Sequence, residues 1–517
     1  MSDSNPNPRK PNTKSILIAA VILFIVFTCY IISAIQRQYR VQGTQSDSLL
    51  ISPKTVKFGG EIISGELFRG METARFEKDK ELVAEIKKVM NQKETPSEIF
   101  KNNPSGNVNV AIALNNAFRL ENNEELNTLR NAAPKEDEWG ISDETLEQLS
   151  EILTRFETKR LTIRNILNRP DSCFYFIFKQ DEEFGEIIDI QAADYLEDYF
   201  LLEEYAIAGA LRDGRIEDAL DSLVYVFRIA QLTATIGVPA ARSQAALIRL
   251  RAVDVMQTIV LNQKFNKRYL NGLYAMIREQ LEHWTPDRTV WVADRASGLR
   301  TYHRILQYGL GAALTPAEIN DLEKRDLLMF IERKQKKRKK NTTDNKNENE
   351  NENENEENEI KETIILKNDF LHGHVSDEIF YLRSMQKVIN VSEKPFYQRL
   401  SVLSEVTDEV VRAMDQKESE PVIAEILLRG IVELMRLHAQ DRAACEMTFL
   451  AMSVSLEKPS FVSLTSNPFS EKGYDVNQIE DADNPKNKYI QVSFPDIRKP
   501  FRVLDYRVKK INQSKAE

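Results

Sequence analysis

Histidine and cysteine are scarce in this 517-residue chain, which has five of the first and three of the second. The cysteines, at positions 29, 173 and 445, share no short spacing, so a disulfide framework and a zinc site built on CxxC pairs are both excluded. One pairing stays open, Cys173 with Cys445, if the folded part faces an oxidising compartment. Also missing are the GxSxG nucleophile elbow, the GxxxxGK[ST] phosphate loop, GxGxxG and HExxH. Aromatic residues do not interleave with basic ones as a single-strand nucleic-acid surface requires, and a net charge of −9 is modest for this length. No nucleic acid, no cofactor and no metal is therefore expected.

What is present begins with SILIAAVILFIVFTCYIISAI at 15–35, twenty-one residues without a charge. At a rise of ~1.5 Å per residue such a helix spans a hydrocarbon core of ~30 Å. It is too long for the core of a cleaved signal peptide and lacks a small-x-small cleavage site. Cys29 is preceded by Phe27 and Thr28, where a lipoprotein would carry small residues. A transmembrane helix in contact with membrane lipid is the expectation. Arg9, Lys10 and Lys14 precede it and Arg37 and Arg40 follow, a bias that puts the short tail inside and the bulk of the chain outside the cytoplasm. The expected location is the cell (inner) membrane, single-pass.

The chain then divides by composition. Residues 1–14 read as a cytoplasmic tail, 15–35 as the membrane helix and 36–70 as a polar, glycine-bearing stalk. Residues 71–332 follow helix spacing almost throughout, apart from SCFYFIFKQ at 172–180, which is the best strand candidate of that half. Inside this part, LRDGRIEDALDSLVYVFRIAQL at 211–232 reads as an αα-hairpin turned at Gly214. Tyr195, Tyr199, Leu202, Ala206 and Gly209 share one face of its first helix, and Ile216, Ala219, Leu220, Leu223, Val224 and Phe227 one face of the second, opposite Glu217, Asp218, Asp221 and Arg228. The spacing does not recur about 34 residues away, so a repeat array is not expected.

Residues 333–362 contain RKQKKRKKNTTDNKNENENENENEENE, a run with no apolar residue to offset the entropy of ordering, and read as a disordered charged tether. Residues 363–456 return to helix and are expected to pack on the main domain. Residues 457–517 bring prolines and the β-type runs KYIQVSF and FRVLDYRV, a small strand-containing cap. The fold class is mainly α: an N-terminal transmembrane helix, an extracytoplasmic helical domain and that cap.

The one close histidine pair, His372 and His374, lies in NDFLHGHVSDE beside Asp369, Asp377 and Glu378. Two residues apart on a strand they would point the same way and, with a carboxylate, could hold a metal; an exposed loop at the end of the tether is the plainer reading. His283 and His303, near Trp284 and Trp291, read as packed or surface residues.

The order of parts resembles an uncharacterised family of membrane-anchored bacterial proteins without an assigned function. The resemblance rests on the basic tail, the membrane helix, FRLENNEELNTLRNAAPKEDE, the hairpin, a long following helix and the late NPFSEKGYDV. That family tends to read DPFxGxPLxY late in the chain. Here Pro468 and Phe469 match, Asn467 stands for the aspartate and the glycine is displaced to Gly473. The function expected is a non-catalytic scaffold or protein-interaction domain of the cell envelope, with a protein partner of unknown identity. The alternatives are an envelope hydrolase using His372 and His374 or carboxylates on the central helices, and a secretion accessory, because pilin-like secretion proteins end in a similar arrangement.

Overall fold

The computed structural model describes residues 56–58, 61–63, 80–99, 108–118, 123–133, 141–174, 177–181, 185–189, 191–235, 239–262, 265–308, 310, 314, 316–325, 328–336, 358–366, 370–414, 421–460, 462, 467–482, 484–494 and 500–505. The expected membrane helix at 15–35 and most of the expected stalk lie outside the described residues. Among the described residues no helix is long and apolar enough to cross a membrane.

The chain is mainly helical, with a small antiparallel sheet at its C-terminal end. A short strand pair, β1 (Val56–Phe58) and β2 (Glu61–Ile63), precedes α1 (Lys80–Val89) and the single turn α2 (Pro96–Ile99). The bridge of β3 (Val108–Asn109) to β4 (Ser172–Cys173) encloses α3 (Val110–Phe118), α4 (Asn123–Asn131), α5 (Asp143–Gln148) and α6 (Ser150–Leu167). A hairpin of β5 (Ile177–Asp181) and β6 (Gly185–Asp189) leads into five long helices: α7 (Gln191–Arg212), α8 (Ile216–Ala234), α9 (Pro239–Val260), α10 (Lys267–Glu282) and α11 (Asp287–Tyr308). After α12 (Pro316–Lys324) come paired strands β7 (Leu328–Lys336) and β8 (Asn358–Leu366). Then follow α13 (Phe370–Val391), α14 (Phe396–Met414), α15 (Val422–Leu428) and α16 (Ile431–Leu456), the longest helix among the described residues. The chain closes with β9 (Asp475–Glu480), β10 (Lys488–Ser493) and β11 (Phe501–Leu504), in the spatial order β11-β10-β9.

Helix α16 is the spine. Every residue from Ala443 to Ser453 is buried, so this half has no polar face, as expected of a helix packed on all sides. Its N-terminal residues Ile431, Met435 and Ala439 join a core of α11, α13, α14 and α15; its C-terminal residues join the larger core of α3 to α10. The terminal sheet covers the far end, with Ile490, Val492, Phe501 and Val503 buried against that larger core. The open edge of β11 is closed by a side chain: Gln257 donates to the Arg502 carbonyl at 2.7 Å and accepts from the Arg502 N–H at 2.7 Å. An edge strand paired in this way offers no free ladder to another chain.

The hairpin at Gly214 forms as its sequence implies. Gly214 has φ 72°, in the left-handed region, and the Arg215 N–H closes the helix onto the Ala210 carbonyl at 2.7 Å. Leu223 and Phe227 are fully buried and Leu220 partly, but Val224 is exposed. The single face expected for α7 is too narrow, because Leu196, Phe200, Leu201 and Ile207 are buried as well.

Two further expectations are corrected. The tether assigned to 333–362 is strand at both ends: β7 pairs with β8 from Leu328 opposite Leu366 to Lys336 opposite Asn358, because LMFI and TIIL flank the charges with β-forming residues. Only 337–357 is left of that segment, and it lies outside the described residues. His372 and His374 fall within a helix, not a loop or strand, since the apolar four-residue step Leu371, Val375, Ile379 continues into Leu382. The late stretch is helical as expected, and Gly430, with a φ of 82°, divides it into α15 and α16. The pairing of Cys173 with Cys445, which the sequence leaves open, does not form: the Cys173 thiol donates to the Val108 carbonyl at 3.4 Å, and Cys445 is fully buried among the residues of the larger core.

In the NPF turn, Asn467 is 1% exposed, accepts the Phe469 N–H at 2.9 Å and donates to the Lys472 carbonyl at 3.0 Å. An aspartate could accept the first bond but not donate the second, so the amide is the side chain that completes this turn.

A close approach fixes α13 on α11. A β-carbon at Gly298 would overlap the phenol of Tyr381, which is buried and donates to the Asp294 carbonyl at 2.9 Å. Gly298→Ala is expected to lower stability by about 1–3 kcal/mol through overpacking, read as a fall in the urea midpoint. An unchanged midpoint would show that the two helices can slide apart without cost.

Candidate functional site

The described residues bury an unusual set of charges where α9 crosses α16. Along α9, Arg242 and Arg249 stand two turns apart on one face, at positions an alanine-rich helix gives to its core. Along α16, His438, Asp441 and Cys445 form a similar row. Arg249 holds Asp441 with Nε at 3.0 Å and Nη2 at 2.6 Å, and Arg242 adds Nη1 at 2.5 Å. Arg242 and Asp441 are fully buried and Arg249 is 3% exposed. Trp284 lies over the group, its ring 4.7 Å from Arg242, 4.6 Å from Arg249 and 5.0 Å from Arg442. Guanidinium planes suit an aromatic face because they are weakly hydrated and stack without losing their in-plane donors. Nearby, Arg442 donates to Glu446 at 2.6 Å, Tyr474 donates to the same carboxylate at 2.8 Å, and Arg399 donates to Asp287 at 2.7 Å.

Beside the clamp, Ser243 Oγ lies 3.3 Å from His438 Nε2, and the His438 ring is 5.9 Å from that of Trp291. Burial, and then the charges of Arg242, Arg399 and Arg249, hold the His438 imidazole well below its ordinary pKa, so it is neutral. Burial, with Asp441 as the next cause, pushes the Cys445 thiol up to about 12, which leaves it unreactive as a thiolate near neutrality. A serine within reach of a histidine has the composition of a nucleophile and its base. The third member of a triad is not in place, however. Asp441 is spent on two arginines, and His438 Nδ1 has no protein partner among the described residues.

The carboxylates of the central helices are engaged in the same manner. On α7, Asp198 takes a two-pronged bond from Arg130 of α4 at 2.7 and 2.8 Å. Glu203 takes Arg160 at 2.8 Å and Arg164 at 2.8 Å, both from α6, and Glu204 takes Arg251 of α9 at 2.6 Å. Burial outweighs these partners for Asp198 and Glu204, whose pKa values are raised.

Of the acidic residues beside the histidine pair, Asp369 lies outside the described residues, and the side chains of His372 and His374 are not among those described. Asp377 is fully engaged elsewhere. Its carboxylate accepts Tyr302 Oη at 2.5 Å and the N–H groups of Ile423 at 2.9 Å and Ala424 at 2.8 Å. It thereby caps the first turn of α15 from another helix, satisfying donors that α15 cannot satisfy itself. His283 is exposed at the C-terminal end of α10. No group of histidine, cysteine, aspartate or glutamate with metal-binding geometry occurs among the described residues. The cluster at Asp441 is not legible in the sequence because its partners are 199 and 192 residues apart; the available signal is arginine at two core positions of α9.

No protein-family model, curated protein or solved structure matches the chain.

Two expectations follow. Asp441→Asn leaves two buried guanidinium groups without their counter-charge and should cost about 3–5 kcal/mol in chemical denaturation, the range for breaking a buried ion pair; a loss within error would mean that water reaches the site. Asp377 has its pKa raised to about 6, first by burial, with Tyr302 and the two N–H groups opposing. Its folded pKa exceeds the unfolded value of about 4, so its contribution favours folding below about pH 4 and is lost as pH rises through 6. The stability of the native chain relative to Asp377→Asn should therefore fall between pH 4 and 6 in paired urea titrations. A difference independent of pH would mean the carboxyl is not buried in solution.

Proposed function

We propose that this chain is a membrane-tethered, mainly helical domain of the bacterial cell envelope that works by holding a protein partner, not by chemistry. It would belong with the uncharacterised membrane-anchored proteins that its order of parts resembles. The uncharged run at 15–35 supplies the tether, and the basic residues before it put the bulk of the chain outside the cytoplasm. One observation supports the non-catalytic reading most directly. Four of the buried carboxylates on the long helices, Asp198, Glu203, Glu204 and Asp441, are each bound by arginine from a neighbouring helix. An acid or base in a reaction must be free to exchange its proton with a substrate, and a carboxylate locked between guanidinium groups is not.

The test is crosslinking in the native membrane followed by purification through a tag on the full chain. A single protein recovered in stoichiometric amount supports the scaffold. Recovery of none, together with hydrolysis of an envelope substrate by the purified chain, would replace it with the hydrolase reading. Protease added after the outer envelope is made permeable should cut near residue 345, and protection there would reverse the orientation.

A further inference from the structure

At the crossing of α9 and α16 hydrogen-bond donors outnumber acceptors. Four guanidinium groups, those of Arg242, Arg249, Arg399 and Arg442, meet three carboxylates, Asp441, Asp287 and Glu446, which leaves one positive charge in surplus. The shortage has an address. Nε and Nη2 of Arg242, Nε1 of Trp291 and Nδ1 of His438 are all buried without a hydrogen-bond partner among the described residues. They belong to side chains exposed by 1% or less. They are also neighbours. Ser243 follows Arg242 and bonds His438; Asp441, one turn beyond His438, bonds Arg242; and the Trp291 ring lies against the His438 ring.

Arginine and indole nitrogens can only donate. If Ser243 donates its hydroxyl proton to His438 Nε2, Nδ1 carries the ring proton, and all four nitrogens ask for an acceptor. Packing alone cannot supply one, since buried donors left unpaired are rare and costly in folded proteins. The local charge selects among acceptors: a surplus cation in a dry interior favours an anion over a neutral group. Enclosure selects among anions, because side chains this deeply buried leave no opening for a substituted phosphate or a peptide carboxylate.

We propose that Arg242, Trp291 and His438 form a binding site for a single small anion, chloride under physiological conditions, that completes the contact between α9, α11 and α16. The anion takes the place of a second carboxylate and ties α11, through Trp291, to a clamp that otherwise joins only α9 and α16.

The experiment uses the full chain in detergent micelles, with chloride exchanged for gluconate, too large for the site, at constant ionic strength. The thermal midpoint should rise with chloride and saturate as one site does. Trp291→Phe keeps an aromatic ring and removes one donor, and should raise the half-saturating chloride concentration about tenfold, the effect expected of one hydrogen bond to a charged group. Arg242→Gln should abolish the response. If that variant does not fold, the phenylalanine variant and crystals of the native chain soaked in bromide decide. An anomalous peak among Arg242, Trp291 and His438 is the expected result. A midpoint that is the same in chloride and gluconate, a Trp291→Phe variant with native chloride response, or density for water alone at saturating bromide would each overturn the proposal.

Discussion

The fold depends on one carboxylate. Helix α16 is buried on every side over its C-terminal half, so apolar packing by itself leaves both its rotation and its position along α9 poorly specified. Asp441 removes that freedom. With Arg242 and Arg249 two turns apart on α9, a single residue of slippage would leave two guanidinium groups and a carboxylate buried without partners. Unpaired buried charges cost several kcal/mol each, far more than one misplaced methyl group. The ion pair need not add net stability to do this; it penalises the other registers, and through α16 it fixes where both cores and the terminal sheet must lie.

The same device sets the other long helices. α7 meets α4, α6 and α9 through three acidic residues, each held by arginine, and α1 is stopped by Arg295, which donates to the Val89 carbonyl at 2.8 Å and to Glu94 at 2.7 Å. Arginine suits these places because its donors are planar and fixed, so two bonds to one carboxylate also fix an angle between helices. Asp377 works on a helix end instead of a cation, and it positions the short α15 just ahead of the left-handed turn at Gly430.

What can be read from the sequence is local. Gly214 is legible as a turn because a glycine set between two helical periods is where a chain can take the left-handed conformation without strain, and Leu223 and Phe227 are buried as their spacing implies. Gly430 carries the same signal but is hidden, because the apolar pattern runs on at both sides of it. Single-face reasoning fails on α7 because periodicity shows one stripe, whereas this helix meets neighbours on several sides. The histidine pair stands out by residue type alone, while the apolar four-residue step across it already implies helix. The ion clamps are beyond reach for a plainer reason. A charged residue at a core position says that a partner exists, but not which of 79 acidic residues supplies it.

Two of these clamps look alike and differ in their balance. Glu203 also serves two arginines, yet Arg160 has Glu157 as well, and Arg164 has Asp221 and Ser222, so the guanidinium groups between α6 and α7 find acceptors beyond the shared carboxylate. Among the described residues Asp441 has no such helpers. Arg249 takes the carboxylate with two nitrogens, Arg242 reaches it with one, and a carboxylate has too few lone pairs for all the N–H groups of two guanidinium ions. The shortage of acceptors is thus a consequence of using one aspartate for two arginines at a dry crossing. Where the α6–α7 clamp is closed by its own neighbours, the α9–α16 clamp is built to be closed by something that is not protein.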